Sequence, residues 1–300
     1  MIPAIEPALA DDWFVAASSQ SLSAGTTTRT RLLGAPIILF RDETGQPCAS
    51  VQHGPRETDL RPIFACERYT LIWVSFKSPC KPLFAIPEFD QPGRRIVPCG
   101  ALGVKTSGLR VVENFLDLAH LPYVHSGWLG QEAHSEVKRY DVNRNQDTDE
   151  LWATDCRFWQ PRAALSANGG FEVEYTYRVM QPFTTMLYKS SPARPAAFDF
   201  ILLCVQPTTD EQCLVYSVLG YFDDVSSDAE LISFMQLIFG QDKPILESHR
   251  PKRIPLDTRI EVPTRADALS TAYRRWLREK CITYGVHRHE SEASNHDQTL

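Results

Sequence analysis

Over the first 85 or so residues, apolar positions alternate in short runs instead of recurring at helical spacing, which predicts strands joined by turns. The run 31–40 reads as a strand and enters a turn rich in Asp and Gly at 41–46, with a second strand to follow. The segment 66–76 is β-branched and aromatic and predicts another strand, whereas 52–59 is a polar loop. A stretch rich in Pro and Gly at 79–100 reads as a linker or an irregular crossing. From 151 to 222 the pattern is again β: 171–179 alternates, 198–205 and 213–221 are continuously apolar, and Asn168-Gly169-Gly170 signals a hairpin turn. Three helices are predicted. One covers 109–121. Another starts at the capping box Ser227-Asp-Ala-Glu230 with the stripe Leu231, Phe234, Met235, Ile238 and Ile245, broken near Gly240 and Pro244. The third starts at Thr264 and carries Leu269, Ala272, Tyr273, Trp276 and Leu277, beside a basic face of Arg274, Arg275 and Arg278 that reads as solvated. Strands flanked by long helices predict an α+β fold with an antiparallel sheet. The polar tail 285–300, with His287, His289 and His296, is expected to be disordered.

Composition narrows the class. With 300 residues, 43% of them hydrophobic, the chain has ample material for a core, and its net charge of −6 gives no field for nucleic acid or an anionic membrane. No apolar run reaches the roughly 20 residues of a membrane span, and 1–13 lacks the basic start and apolar stretch of a secretory signal, so a cytoplasmic protein is expected. The eight cysteines include no C-x-x-C and read as reduced core thiols.

The densest chemistry lies between Glu113 and His125. Asp117 and His120 are three residues apart and share a helix face, with Asn114 one turn earlier on the same side. His120 and His125 are five apart and diverge by about 140° on a regular helix. Pro122 offers the distortion that would bring both imidazoles to one ion. A carboxylate completing such a site belongs on an apolar face, and Asp242 falls on the stripe of the second long helix, four residues after Ile238. Two His and one carboxylate form the facial triad of non-heme Fe(II) oxygenases, with three positions left open. Spacing alone leaves this in competition with two structural histidines and a solvated aspartate.

The run Asn114-Phe-Leu-Asp117-Leu-Ala-His120 with His125 resembles the N-x-x-D-x-x-H-x4-H iron motif of the Rieske non-heme iron oxygenases. The segment 242–248 resembles the one that supplies their carboxylate ligand, 67–74 the strand closing their N-terminal domain, and 274–278 their final helix. The similarity spans almost the whole chain and points to the branch of vanillate O-demethylase and the methylxanthine N-demethylases. It implies a Rieske-like β-barrel domain (1–85) ahead of a helix-grip catalytic domain (86–284), with Fe(II) on His120, His125 and Asp242. It also implies Asp117 as the electron bridge to His120 and His249 as a residue lining the substrate pocket, against a surface histidine at the helix end; Asn114 reads either as a hydrogen bonder near the iron or as a helix-packing amide.

The chain also departs from the family. Members carry C-x-H and, about 17 residues on, C-x-x-H, which hold a [2Fe–2S] cluster through two Cys and two His. Here that region offers only Cys48, His53 and Cys66, so the barrel is expected to be vestigial and to bind no cluster. Electrons would then come from a Rieske domain on a partner reductase, which alone would use NAD(P)H, and a further scaffold protein is compatible with such a complex. The resemblance implies N-demethylation of a methylxanthine at N7, with 7-methylxanthine and O2 giving xanthine and formaldehyde. An O-demethylase or hydroxylase of another small aromatic would share every ligand, and a non-catalytic structural subunit of an oxygenase complex is the rival of a different class.

Overall fold

The computed structural model describes residues 5–56, 58–77, 81–162, 169–191, 194 and 197–287. Alternating strands close up into two antiparallel sheets. The first runs β1 (Phe14–Ser18), β2 (Thr27–Leu32), β3 (Ala35–Arg41), β4 (Pro47–Gln52), β5 (Leu60–Arg68) and β6 (Leu71–Ser75), in the spatial order β1-β6-β5-β4-β3-β2. The second contains β7 (Arg95–Val104), β8 (Asp141–Arg144), β9 (Leu151–Gln160), β10 (Phe171–Gln181), β11 (Thr184–Ser190), β12 (Phe198–Thr209) and β13 (Gln212–Tyr221), in the order β7-β13-β12-β11-β10-β9-β8. Helices α1 (Gly108–Leu116), α2 (Leu121–Val124), α3 (Asp228–Ser248) and α4 (Ala268–Glu279) complete the α+β fold. None of these helices is long and apolar enough to cross a membrane.

Several local expectations change. The run 31–40 is a hairpin rather than one strand, because Leu33 and Gly34 both adopt positive φ and bring Leu32 opposite Ala35. Likewise 66–76 turns at Tyr69 and Thr70, at φ 57° and 63°. No glycine announces that turn; the Tyr69 hydroxyl holds it by donating to the Phe84 carbonyl at 2.9 Å and accepting from the Ile86 amide at 2.8 Å. The segment read as a linker ends in β7, an edge strand paired only with β13, where Pro98 costs no ladder bond and Gly100 (φ 79°) sits at a bulge. Helix α3 runs unbroken through Gly240 and Pro244, and on its last turn Leu246 is buried while Ile245 is 45% exposed. Asn168 and the tail beyond 287 lie outside the described residues.

The sheets are joined tightly. The Leu33 amide donates to the Pro207 carbonyl at 2.7 Å, and the Gln206 amide donates to Thr30 Oγ1 and the Arg31 carbonyl. Phe14 meets Phe183 at 5.8 Å between ring centroids, inside a single apolar core shared by β1, β3, β6 and the larger sheet. Helix α3 packs along β7, and α1 packs on β12, α3 and α4, so α1 and α3 both lie against the seven-stranded sheet.

Candidate metal centre

Ser107 caps α1 by accepting from the Leu109 amide, and the helix stops at Leu116, earlier than its apolar pattern suggests. Asp117 causes the stop. Its backbone is extended, and its Oδ1 accepts from the Ala119 amide at 2.7 Å, an Asx-type turn that competes with the helical bond. The distortion that Pro122 was expected to supply therefore begins five residues sooner, and Pro122 opens the short helix α2. His120 and His125 cap the two ends of that single turn, which aims both imidazoles the same way. Gly130 holds the turn in place: a Cβ there would stand 2.6 Å from the Pro122 backbone, so only glycine lets 126–130 press against α2. The facing wall is α3, whose capping box forms as predicted between Ser227 and Glu230, and whose buried Asp242 points back at the histidines.

The three side chains converge. His120 Nε2 and His125 Nε2 lie 3.2 Å apart, and Asp242 Oδ1 lies 3.4 Å from the first and 3.1 Å from the second. Three mutually cis ligands at about 2.1 Å from an ion stand about 3 Å from one another, so this triangle has the dimensions of a facial triad. Asp242 Oδ1 is buried with only the two imidazoles facing it, and two imidazole nitrogens turned on each other and on a carboxylate leave room for a cation between them. The residues thus fit a divalent metal. Burial alone would raise the Asp242 carboxyl, yet the two histidines hold it at about 2. Burial would lower His120, but Asp117 and Asp242 outweigh it and raise the imidazole to about 9 in the metal-free site. Among the described residues, this is the cluster of His, Cys, Asp and Glu side chains close enough to share one ion.

Gln241, which periodicity did not single out, completes the arrangement. Its Oε1 lies 2.8 Å from His125 Nδ1, so it accepts the Nδ1 proton and leaves Nε2 bare for the metal. Only its position beside Asp242 could have flagged it.

Two cavities meet at the triad. The inner one, about 90 Å³, is walled by Tyr177, Leu187, Ile201, Leu203 and Phe239, with Lys189, Ser217 and Tyr221 as its polar lining. That is smaller than the roughly 300 Å³ of a usual ligand pocket, and Phe234 and Met235 on α3, both partly buried, also line it. The outer one is an open groove of about 400 Å³, lined by Arg110, Glu113, Asp117, His249, Glu261 and Arg274. His120 and Asn114 border both. Asp117 stands on the groove side, with Oδ2 3.5 Å from His120 Nδ1. His249, expected in the substrate pocket, lines the groove instead: it caps α3 seven residues beyond Asp242, about 10 Å further along the axis. Burial and the Arg110 charge push its imidazole down. Arg274 is not a solvated residue either. It donates to Glu113 and Glu261 at 2.5 Å each, in a network with buried Arg110, while Arg275 and Arg278 remain exposed.

With this geometry in hand, comparison with known proteins decides the family. Residues 104–281 match the family model for the vanillate O-demethylase oxygenase C-terminal domain. The chain belongs to the Rieske non-heme iron oxygenases, in their vanillate O-demethylase and methylxanthine N-demethylase branch. It is 40% identical over 278 residues to a probable methylxanthine N7-demethylase, NdmC, of Pseudomonas sp. (strain TJI-51), covering 93% of this chain and 96% of that one. It is 30% identical to the methylxanthine N1-demethylase NdmA of Pseudomonas putida, across 87% of this chain and 74% of the relative. The fold matches that of Pseudomonas putida NdmA with caffeine at a TM-score of 0.74 and 20% identity, with 91% of each chain covered. Dicamba monooxygenase bound to dicamba matches at 0.70 and 17%, with 91% and 97% covered. As a member of this family the chain is an oxidoreductase of the monooxygenase type, and the family implies a non-heme iron for the triad.

Proposed function

We propose that this chain is the iron-bearing component of an N-demethylating monooxygenase that takes the N7 methyl group from 7-methylxanthine, giving xanthine and formaldehyde. The convergence of His120, His125 and Asp242 on an apolar cavity carries the reading, and the 40% identity to a probable N7-demethylase supports the substrate. Fe(II) on those three residues would supply oxygen activation and hydroxylation of the N-methyl carbon. The walls at Leu187, Ile201, Leu203 and Phe239 exclude water from the bound methyl group. Gln241 keeps His125 in the metal-binding tautomer, and Asp242 supplies the negative charge. Overall, one O2, two electrons and two protons convert N–CH3 to N–CH2OH and water; the carbinol then releases formaldehyde and leaves the proton on nitrogen.

The electrons arrive from outside the chain. The first 119 residues contain a single histidine, His53, and a Rieske cluster needs two on one iron, so we assign the cluster to a Rieske domain of a partner reductase that uses NAD(P)H. Asp117 lies between His120 and the open groove, where a donor's imidazole can meet its carboxylate. The test is the chain loaded anaerobically with Fe(II), combined with such a reductase, NAD(P)H and 7-methylxanthine. About one iron per chain without acid-labile sulfide, and formaldehyde equal to the xanthine formed, are expected. Formaldehyde from a methoxybenzoate but not from 7-methylxanthine would replace the substrate reading with O-demethylation. Failure to bind iron would leave a structural subunit.

A further inference from the structure

A tyrosine ring is buried at little cost only where its hydroxyl finds a partner. Four buried tyrosines of this chain meet that condition. Tyr69 donates to the Phe84 carbonyl, Tyr140 to the Ala266 carbonyl, Tyr216 to Gln206 Oε1 and Tyr273 to the Pro182 carbonyl, at 2.7–3.0 Å. Two others, Tyr175 and Tyr177, do not donate inside the protein. Tyr175 accepts from the Gln160 amide at 2.8 Å, and its own proton has no acceptor among the described residues. Tyr177 is 2% exposed, yet its hydroxyl has no hydrogen-bond partner of either kind among the described residues. The division follows the inner cavity: Tyr175 and Tyr177 line it, and the four that donate do not. Antiparallel register sets Tyr177 opposite Leu187 and Leu187 opposite Ile201, so all three leave one face of the sheet, toward the triad. Phe115 meets the Tyr177 ring edge-on at 5.9 Å, and the Tyr175 ring lies 5.9 Å away on the same strand, so the ring is held from two sides. Phenylalanine would keep both contacts and strand no polar group. A wall meant only to exclude water gains nothing from the hydroxyl, whereas a wall that must orient a flat molecule does.

We infer that Tyr177 is a specificity-determining residue of this cavity, its hydroxyl donating to an oxygen on the edge of a planar aromatic substrate whose methyl-bearing end faces His120, His125 and Asp242. This deepens the N-demethylase reading and rests on it, since the ring carbonyls of a xanthine supply such an edge. Tyr175, whose oxygen is already taken up by Gln160, has its O–H left to offer the same edge. Burial pushes both phenols well above their ordinary range, so each keeps the proton it donates.

Calorimetric titration of the Fe(II)-loaded protein, anaerobic and without reductase, tests this with two ligand pairs. 7-Methylxanthine is compared with 7-methylpurine, which lacks both ring oxygens, and 4-hydroxy-3-methoxybenzoate with 2-methoxyphenol, which lacks the carboxylate. Tyr177→Phe removes one oxygen atom and no hydrogen bond within the protein, so iron content should match the wild type and the melting temperature should not fall. The variant is expected to bind 7-methylxanthine about tenfold more weakly and 7-methylpurine within about twofold of the wild type. The same selective loss confined to the benzoate pair would keep the Tyr177 assignment and overturn the methylxanthine reading. Unchanged affinity for both oxygenated ligands, an equal loss for both members of a pair, or a wild type that binds neither pair overturns the assignment. So does a Tyr177→Phe protein that melts lower or fails to fold, because the hydroxyl would then serve the fold rather than a ligand.

Discussion

Replacing Gln241 by leucine removes the acceptor for His125 Nδ1 without touching any of the three ligands. The 2.8 Å contact and the 1% exposure of His125 set the expected size of the effect. A metal on Nε2 forces the proton onto Nδ1, and in the variant that N–H would be buried without a partner. The metal-free protein escapes the same cost, because its imidazole can move the proton to Nε2 and donate to Asp242, 3.1 Å away. The penalty of about 1.4–2.7 kcal/mol therefore falls on the loaded state, equivalent to a loss of about 10–100-fold in Fe(II) affinity. Gln241→Glu keeps an acceptor and should bind at least as tightly as the wild type. Chelator competition under anaerobic conditions reads the affinities, and thermal melts of the metal-free proteins should differ little. An Fe(II) affinity for Gln241→Leu within about twofold of the wild type would refute the tautomer argument.

Three other perturbations follow from the same geometry. Asp117→Asn keeps the acceptor for the Ala119 amide, so iron loading should persist while reductase-driven turnover falls by at least about tenfold; normal steady-state turnover would remove Asp117 from the electron path. Gly130→Ala drives a methyl group into the Pro122 backbone, and should cost about 1–3 kcal/mol in a melt and lower iron occupancy by displacing both histidines. Glu261 is raised by burial but held at about 2 by Arg110 and Arg274, below its ordinary 4.5. A depressed carboxyl contributes stability that is complete above about pH 4.5 and lost as pH falls toward 2. Glu261→Gln should flatten that acid limb of the stability–pH curve and cost about 2 kcal/mol at neutral pH, since Arg110 then lacks part of its countercharge; an unchanged acid limb would contradict this.

How much of this was legible in the chain varies by residue. The two histidines and Asp242 could be read because metal chemistry restricts residue type, and because the stripe through Phe234 and Ile238 placed Asp242 on the buried side of its helix. The capping box at Ser227 was legible for a local reason: both partners lie within one turn; the one that forms at Thr264 was read only as a helix start. The stop at Leu116 was not, since an aspartate side chain overruled apolar periodicity that ran on to Leu121. The Tyr69–Thr70 turn escaped because a long-range hydroxyl bond, rather than a glycine, holds it. Lys189 escaped because one lysine in an alternating strand looks solvated until register with β10 and β12 shows which face is covered. The side on which His249 lies was not legible, because its sequence distance from Asp242 says little about which cavity the end of a 21-residue helix faces.

The retained N-terminal sheet can also be understood without a cluster. If cluster binding were its only use, a chain with one histidine before residue 120 would have little reason to keep six strands. Yet Phe14, Ile37, Ile72 and Val74 belong to the same apolar core as Phe183, Val205 and Leu109, and Leu109 begins the helix that leads to Asp117 and His120. Gln206, fully buried on β12, spends its amide on Thr30 and Arg31 and accepts from the Tyr216 hydroxyl, so removing the first sheet would strand a polar group in the second. The small sheet thus forms a wall of the catalytic fold whether or not it carries electrons. Residues 53–56, 58 and 59 of the loop between β4 and β5 contribute nothing to that core.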